Sequence, residues 1–142
     1  MALHLLKLCV GASSVADMED WVARRAAANV KAGLGPVTQH TTRLFPKRRA
    51  ELLDGGSLYW VVKGVVLIRQ RIVDLRSIEG DDGIERCEIV LDRTLHPTQA
   101  QPRRAFQGWR YLTAQDAPAD LDRRSAAAPP ELRARLAELG LL

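Results

Sequence analysis

The sequence is poor in the residues and motifs that several protein classes require. It has only two cysteines, Cys9 and Cys87, far apart and without CxxC partners, which favours two small side chains buried on strands over a disulfide or a metal pair. No GxSxG, P-loop, HExxH or strand-associated GxGxxG motif is present. These absences predict no cofactor, no metal and no recognisable catalytic signature.

Membrane association is also not expected. No apolar run approaches the roughly 20 residues of a spanning helix. The N-terminal segment is too short for a secretory signal, and Lys7 lies inside its apolar run rather than before it. A cytoplasmic protein is therefore the expectation.

The composition is that of one globular domain. Hydrophobic residues make up 46% and charged residues 27% of 142 residues, with a net charge of +4. The mild excess of cations, mostly arginine, allows an anionic partner such as nucleic acid or a nucleotide, and it is equally compatible with a solvated surface.

The centre of the chain is residues 51–75, which breaks at Gly55-Gly56 and then runs extended. One period-two phase of this run is nearly pure core and contains Trp60. The other phase has a mixed character that predicts a half-open face, with Tyr59, Lys63, Arg69 and Arg71. The run is either one long strand or a hairpin that folds back at Lys63-Gly64.

Shorter elements are predicted around this run. Ser14 with Asp17 has the capping-box spacing for a helix, and Asp82-Gly83 is a tight-turn signal. The carboxylates near that turn could hold a divalent cation, but a solvated hairpin loop fits their spacing better. Strands are predicted at residues 2–10, 37–44 and 87–91, an edge segment at 94–101, and a linker with an amphipathic helix at 122–142, after a single domain at 1–121.

Two basic stretches are candidate binding sites. Lys47, Arg48 and Arg49 begin a short helix, against the usual charge preference, so they either hold an anion or are simply solvated. Residues 102–112, PRRAFQGWRYL, interleave arginines with aromatics, which suits base stacking and phosphate contact as well as an ordinary packed strand. The second stretch contributes Arg103, Arg104, Trp109, Arg110 and Tyr111.

Several strings resemble a bacterial family of uncharacterised proteins, domain-of-unknown-function family 1489. They are HLLKLCVG, ELLDGGSLYWVVKG, RQRIVDLR, PRRAFQGWRYL and DAPADL, and the resemblance covers residues 3–121, without the tail. ELLDGG followed by YWVVKG also resembles, more distantly, the PUA-like pseudo-barrels with their ASCH and EVE modules. That second resemblance implies a curled sheet beside an RNA or modified-base pocket.

We therefore expect an α+β fold with a small, largely antiparallel sheet of five or six strands, or a partial barrel, flanked by helices. The expected function is a non-catalytic RNA- or nucleotide-binding module. Arg69, Arg71 and Lys63 would use the open face, and Lys47 and Arg48 would contact phosphates. Tyr59, Trp109 and Tyr111 would stack on bases, with Arg103, Arg104 and Arg110 beside them.

Two alternatives come from other classes. A small enzyme acting on an anionic, nucleotide-like substrate would need a carboxylate or histidine in a cleft, and Asp54, Asp74 and His40 are the positions to inspect. An enzyme could also use a His/Cys dyad, formed in space by His40 or His4 with Cys9 or Cys87. A protein-interaction or assembly module would use the aromatic block and the C-terminal helix.

Overall fold

The computed structural model describes residues 2–11 and 13–121. The predicted linker and helix at 122–142 lie outside them. The strands are β1 (Leu3–Leu8), β2 (Val37–Thr42), β3 (Ser57–Val62), β4 (Val65–Glu79), β5 (Glu85–Asp92), β6 (His96–Pro102) and β7 (Trp109–Thr113). The helices are α1 (Val15–Lys31) and α2 (Arg49–Leu53). None of the described helices is long and apolar enough to span a membrane.

The α+β prediction is confirmed, and the described residues form one largely antiparallel sheet with seven strands rather than the expected five or six. The strand order is β2-β5-β4-β3-β1-β7, and β6 pairs with β4. Within the described part of the chain, β1 and β3 are the one parallel pair, and α1, β2 and α2 make it possible by carrying the chain back between them. No described residues pair β2 with β7, so the sheet is open.

The central run is a hairpin whose second arm, β4, is unusually long. Lys63 and Gly64 turn the chain with φ values of 50° and 82°, the positive pair that a two-residue type I′ turn requires. Register shifts near Leu67 and Val73 bend β4. Along one edge, β4 therefore pairs first with β6 and then with β5.

Helix α1 begins as the sequence predicts. The Ser14 hydroxyl accepts a hydrogen bond from the Asp17 backbone N–H, and the Asp17 carboxylate accepts from the Ser13 N–H and hydroxyl. The apolar stripe of α1 places Val15, Met18 and Val22 against the main core, which also contains Trp60, as its strand phase predicts.

The predicted half-open face of β3 is wrong, because both faces of the strand are covered. The opposite face carries a second apolar cluster of Leu6, Tyr59, Val61, Val66 and Leu112, and Phe106 and Ala117 pack against it. Tyr59 is only 5% exposed. Its ring is thus core, with the His4 ring edge-on at 5.1 Å between centroids, and it is not available for base stacking in this structure.

Candidate functional site

The candidate site is a pocket of about 420 Å³ between the N-terminal half of α1 and the strands β1, β2 and β3. Cys9 and Trp60 line its sheet side and His40 projects from β2. Trp21, 42% exposed, lines its helix side. Its size suits a small molecule, and its lining mixes aromatic rings with a few polar groups, as ligand pockets do.

A fully buried hydrogen-bond network fixes Trp60 in the floor of the pocket. The Trp60 indole N–H donates to Gln70 Oε1 at 2.9 Å, and Gln70 Nε2 donates to the Asp92 carbonyl at 2.9 Å. The Thr38 hydroxyl lies 3.5 Å from the same Gln70 nitrogen. Gln70 and Thr38 both have 0% exposure, so the polar groups behind the pocket satisfy one another and hold the indole in one orientation.

His40 presents an unsatisfied polar atom beside this floor. Its ring stands perpendicular to Trp60 with centroids 5.3 Å apart, and its buried Nε2 has no hydrogen-bond partner among the described residues. Burial, and secondly the charge of Lys7, lower the pKa of His40 from 6.5 to about 4. The imidazole is therefore neutral at physiological pH and can donate or accept one hydrogen bond.

Lys7 supplies a cation near His40. The alternation along β1 puts Lys7 on the main-core face with Leu5, where its neighbours in register are Trp60 on β3 and Trp109 on β7. Burial lowers the pKa of the Lys7 ammonium. No ion pair joins this ammonium to any residue that the structure describes, so its charge is left for solvent or a ligand.

The charges at the rim of the pocket are mostly paired. Asp20 forms an ion pair with Arg24 at 2.9 Å. The pKa of the Asp17 carboxyl is lowered, chiefly by the hydrogen bond from the Ser13 side chain and also by the cation of Lys63. Lys63, one of the predicted binding residues, thus lies close enough to the rim to act on Asp17 electrostatically.

Arg69, one of the predicted phosphate contacts, has a carboxylate partner in the structure. Its guanidinium donates two bonds of 2.7 Å to the Asp120 carboxylate and a third of 2.8 Å to the Ser57 hydroxyl. A bidentate carboxylate occupies the edge of the guanidinium that a phosphate would use. The sequence separation of 51 residues hides this pair from pattern analysis.

Arg48 also has a carboxylate partner. Its guanidinium forms an ion pair with Glu51 and lies 5.6 Å from the centre of the Tyr111 ring. Its backbone N–H donates to the Tyr111 hydroxyl at 3.2 Å, so the predicted anion site at the start of α2 has lost this donor. Trp109 packs edge-on to Tyr111 at 4.8 Å and donates its indole N–H to the Leu44 carbonyl, so the structure brings Arg48, Trp109 and Tyr111 together.

The other predicted cations lie at the hairpin tip, on β7 or at exposed positions. The Arg103 backbone N–H donates to the Gly64 carbonyl, which puts Arg103 beside the hairpin tip and Lys63, but its guanidinium bonds to Gln101. Arg110 donates to the carbonyls of its own loop and lies 5.4 Å from the Phe106 ring centre. Lys47, Arg71 and Arg104 are exposed.

An enzyme would use Asp54, Asp74 or His40, and of these three His40 lies in the pocket. Asp74 pairs with Arg49 and Arg76, and Asp54 is an exposed residue at the end of α2. His40 lines the pocket together with Cys9, whereas Cys87 is fully buried and burial raises the pKa of its thiol to about 11. No group of three or more His, Cys, Asp or Glu side chains with metal-binding geometry occurs in the described part of the chain.

Sequence reasoning missed Trp21, which lines the pocket, and Lys7, which does not line it but pairs in register with Trp60. Lys7 is a lone cation inside an apolar strand, and this pattern signals a charge placed against the core. Trp21 falls among apolar residues of α1, a pattern that indicates packing, but in the structure it is 42% exposed.

The fold and its pocket describe a small α+β domain with a ligand-sized cleft between helix and sheet. The chain belongs to the family described as Protein of unknown function (DUF1489), which it matches over residues 5–142. The match reaches the end of the chain, so the resemblance to this family does not stop at residue 121, as was expected from the sequence. Neither a curated protein nor a solved structure gives a significant match, and the PUA-like resemblance stays a prediction from sequence.

Proposed function

We propose that this protein binds a nucleotide-like anionic ligand in the pocket between α1 and the sheet. The carrying observation is the buried Nε2 of His40, a polar atom without a partner among the described residues at the side of a ligand-sized cavity. A buried polar group without a hydrogen bond costs free energy. Nε2 is closed to solvent in this structure, so a ligand atom would reach it through a shift of the His40 side chain and would then recover that free energy.

The base and the anionic group of such a ligand would contact different residues of the pocket and its surroundings. Trp21, which is 42% exposed and lines the pocket, offers aromatic contact for a planar base. The Lys7 ammonium, near His40, supplies the charge for a phosphate or carboxylate, and Lys63 adds a cation near the rim. We expect the protein to meet this ligand in the cytoplasm.

The pocket supports the proposal better than an extended nucleic-acid surface does. Tyr59 is buried, and Arg69 and Arg48 are each held by a carboxylate. Arg103 and Arg110 also have bonds of their own, to Gln101 and to the carbonyls of Gln107 and Trp109. A single nucleotide unit, free or at the end of a strand, matches what the described residues leave available.

The test is calorimetric titration with adenosine, guanosine, cytidine and uridine monophosphates, together with a mixed single-stranded RNA pool, at two salt concentrations. We expect at least one monophosphate to bind, with Lys7→Met weakening it about tenfold and reducing its salt dependence. His40→Gln should weaken binding with little change in the salt dependence.

Arg71→Ala is the matched control, because it removes an exposed cation away from the pocket and should leave binding unchanged. Absence of monophosphate binding at millimolar concentration would refute the proposal. Binding of RNA alone that Arg71→Ala weakens, but Lys7→Met does not, would return the function to an exposed basic face.

A second candidate function is catalysis on the same class of ligand, and His40 favours it. A neutral imidazole in a pocket, beside an amine of lowered pKa, has the protonation state that a general base needs. The test is turnover of the bound monophosphate, followed by mass spectrometry. Turnover by the wild type that His40→Gln abolishes, while binding persists, would establish it, and binding without turnover would exclude it.

A further inference from the structure

A second cavity lies on the other face of the sheet from the pocket beside α1. It has a volume of about 400 Å³, and its lining includes His4 of β1, Tyr59 of β3 and Arg69 of β4. Trp60 lines the first pocket and its neighbour Tyr59 lines this cavity, as expected for successive residues of a strand. Among the described residues the two have no lining residue in common, so this cavity is independent of the proposed nucleotide site.

The imidazole of His4 is held in one tautomer in this cavity. The buried backbone N–H of Ser57 donates to His4 Nδ1 at 2.9 Å. Burial, and secondly the charge of Arg69, lower the pKa of His4, so the ring is neutral at physiological pH. A neutral imidazole that accepts at Nδ1 carries its proton on Nε2, which is therefore a hydrogen-bond donor.

Two donors of the cavity wall have no acceptor among the described residues. They are the Nε2–H of His4 and the hydroxyl of Tyr59. His4 is 8% exposed and Tyr59 5%, and their rings meet edge-on with centroids 5.1 Å apart. The described residues close neither atom off completely, in contrast to His40 Nε2. An acceptor oxygen of a ligand in the cavity would satisfy both donors.

The charges of the cavity are ordered from inside to outside. The Arg69 side chain is 21% exposed and its partner Asp120 is 48% exposed, so the cation is the inner member of the pair. Burial raises the pKa of Tyr59, Arg69 opposes this effect, and Asp120 adds to it more weakly than Arg69 opposes it. The wall at His4 and Tyr59 therefore has a positive potential, and the outer end of the cavity carries a carboxylate.

We propose that this cavity binds a free amino acid, with the carboxylate of the ligand at His4 and Tyr59 and its ammonium group at Asp120. A carboxylate only accepts hydrogen bonds, so it complements the two donors, and the nearby guanidinium of Arg69 favours its charge. Each Asp120 oxygen accepts one bond from Arg69 and keeps a lone pair for the ammonium group. Ligand and described site are each neutral overall, so the ion pair stays in place.

The rest of the lining indicates which amino acids fit. Its other described residues are small and have no polar side-chain group: Gly55, Ala114, Ala117, Pro118 and Ala119. A charged ligand side chain would lose water here without gaining a partner. We therefore expect a small aliphatic side chain on the ligand.

The test is a titration of the isotope-labelled full chain with L-alanine, L-valine and L-leucine, followed by amide NMR spectra. We expect at least one of them to shift the amide resonances of residues 114–121 saturably at millimolar concentration, and L-glutamate and L-lysine to bind more weakly. Propionate, which is alanine without its amino group, should bind about tenfold more weakly than alanine, because its charge approaches Asp120 without an ammonium group between them.

Two variants test the roles of single groups. Tyr59→Phe removes a hydroxyl without a described partner, so it should weaken binding of the aliphatic amino acid about fivefold and leave thermal stability unchanged. Asp120→Asn should reduce the difference between alanine and propionate. Tyr111→Phe and Asp116→Asn are the matched controls, since neither residue lines the cavity, and they should leave binding unchanged.

Absence of saturable shifts with all three aliphatic amino acids would overturn the proposal. So would shifts confined to the pocket beside α1, equal binding of alanine and propionate, or full binding by Tyr59→Phe. Nucleotide binding has a separate lining, so either proposal can fail while the other holds.

Discussion

At the scale of the residue, the pocket depends on a glutamine that never reaches solvent. Gln70 bonds to the Trp60 indole and to the Asp92 carbonyl, so Gln70→Leu leaves both groups buried without a partner. We expect it to lower the free energy of unfolding by about 3 kcal/mol and to shift the Trp60 indole N–H resonance. Urea denaturation measures the first effect. Gln107→Leu, at an exposed position, should change stability by less than about 0.5 kcal/mol.

His40 predicts how stability responds to acid. Its pKa is about 4 in the folded protein and 6.5 in the unfolded chain, so the unfolded chain takes up the proton first as the pH falls. Above pH 6.5 the residue has little effect, and between 6.5 and 4 it progressively favours unfolding, by up to about 2 kcal/mol at pH 5.

The measurement is urea denaturation of wild type and His40→Gln at pH 7 and pH 5. The variant should lose less stability between the two pH values. The His40→Gln variant should still lose some stability at pH 5 because of His4. Burial lowers the pKa of His4 as well. An equal acid loss in wild type and variant would show that His40 protonates in the folded protein as readily as in the unfolded chain.

At the scale of the element, the β3–β4 turn connects sequence and structure most directly. Both turn residues have positive φ, which glycine adopts without strain and lysine does not. Gly64→Ala should therefore destabilise the protein by about 1 kcal/mol, and Lys63→Asn should stabilise it by a few tenths, since Asn-Gly is the preferred type I′ pair. Thermal unfolding of the two variants checks both signs, and a stabilising Gly64→Ala would contradict the turn geometry.

Local signals of this kind can be predicted from the sequence, and long-range ones cannot. The Ser14 cap and the core position of Trp60 depend on neighbours within a few residues. The Lys63-Gly64 turn is the hairpin alternative of the two that the sequence leaves open. The exposure of Tyr59 depends on Phe106 and Ala117, which cover it from a distant part of the chain. His40 became a site residue only when the fold placed it beside Trp60 and Lys7.

At the scale of the whole molecule, the segment after β7 closes the fold. It runs from one edge of the sheet across the second apolar cluster to β6, where Gln99 N–H bonds to the Ala119 carbonyl at 2.8 Å. Asp120 fastens it through its two bonds to Arg69, whose side chain is 21% exposed.

Asp120→Ala should lower the free energy of unfolding by about 2 kcal/mol, because it leaves a largely buried guanidinium without its carboxylate. Hydrogen exchange at residues 114–121 should quicken while α1 stays protected. Asp20→Ala breaks the exposed pair with Arg24 and should cost less than about 0.5 kcal/mol. Equal costs for the two variants would mean that the Arg69 pair is only a surface contact.

The long strand β4 also determines how cooperatively the protein unfolds. Its first half carries β3 and β6, and its second half carries β5, so the two parts of the sheet share one continuous backbone. Neither part can lose its pairing with β4 without exposing the core that the other part covers. We therefore expect one cooperative transition, in which the fluorescence of Trp60 in β3 and the chemical reactivity of Cys87 in β5 report the same midpoint.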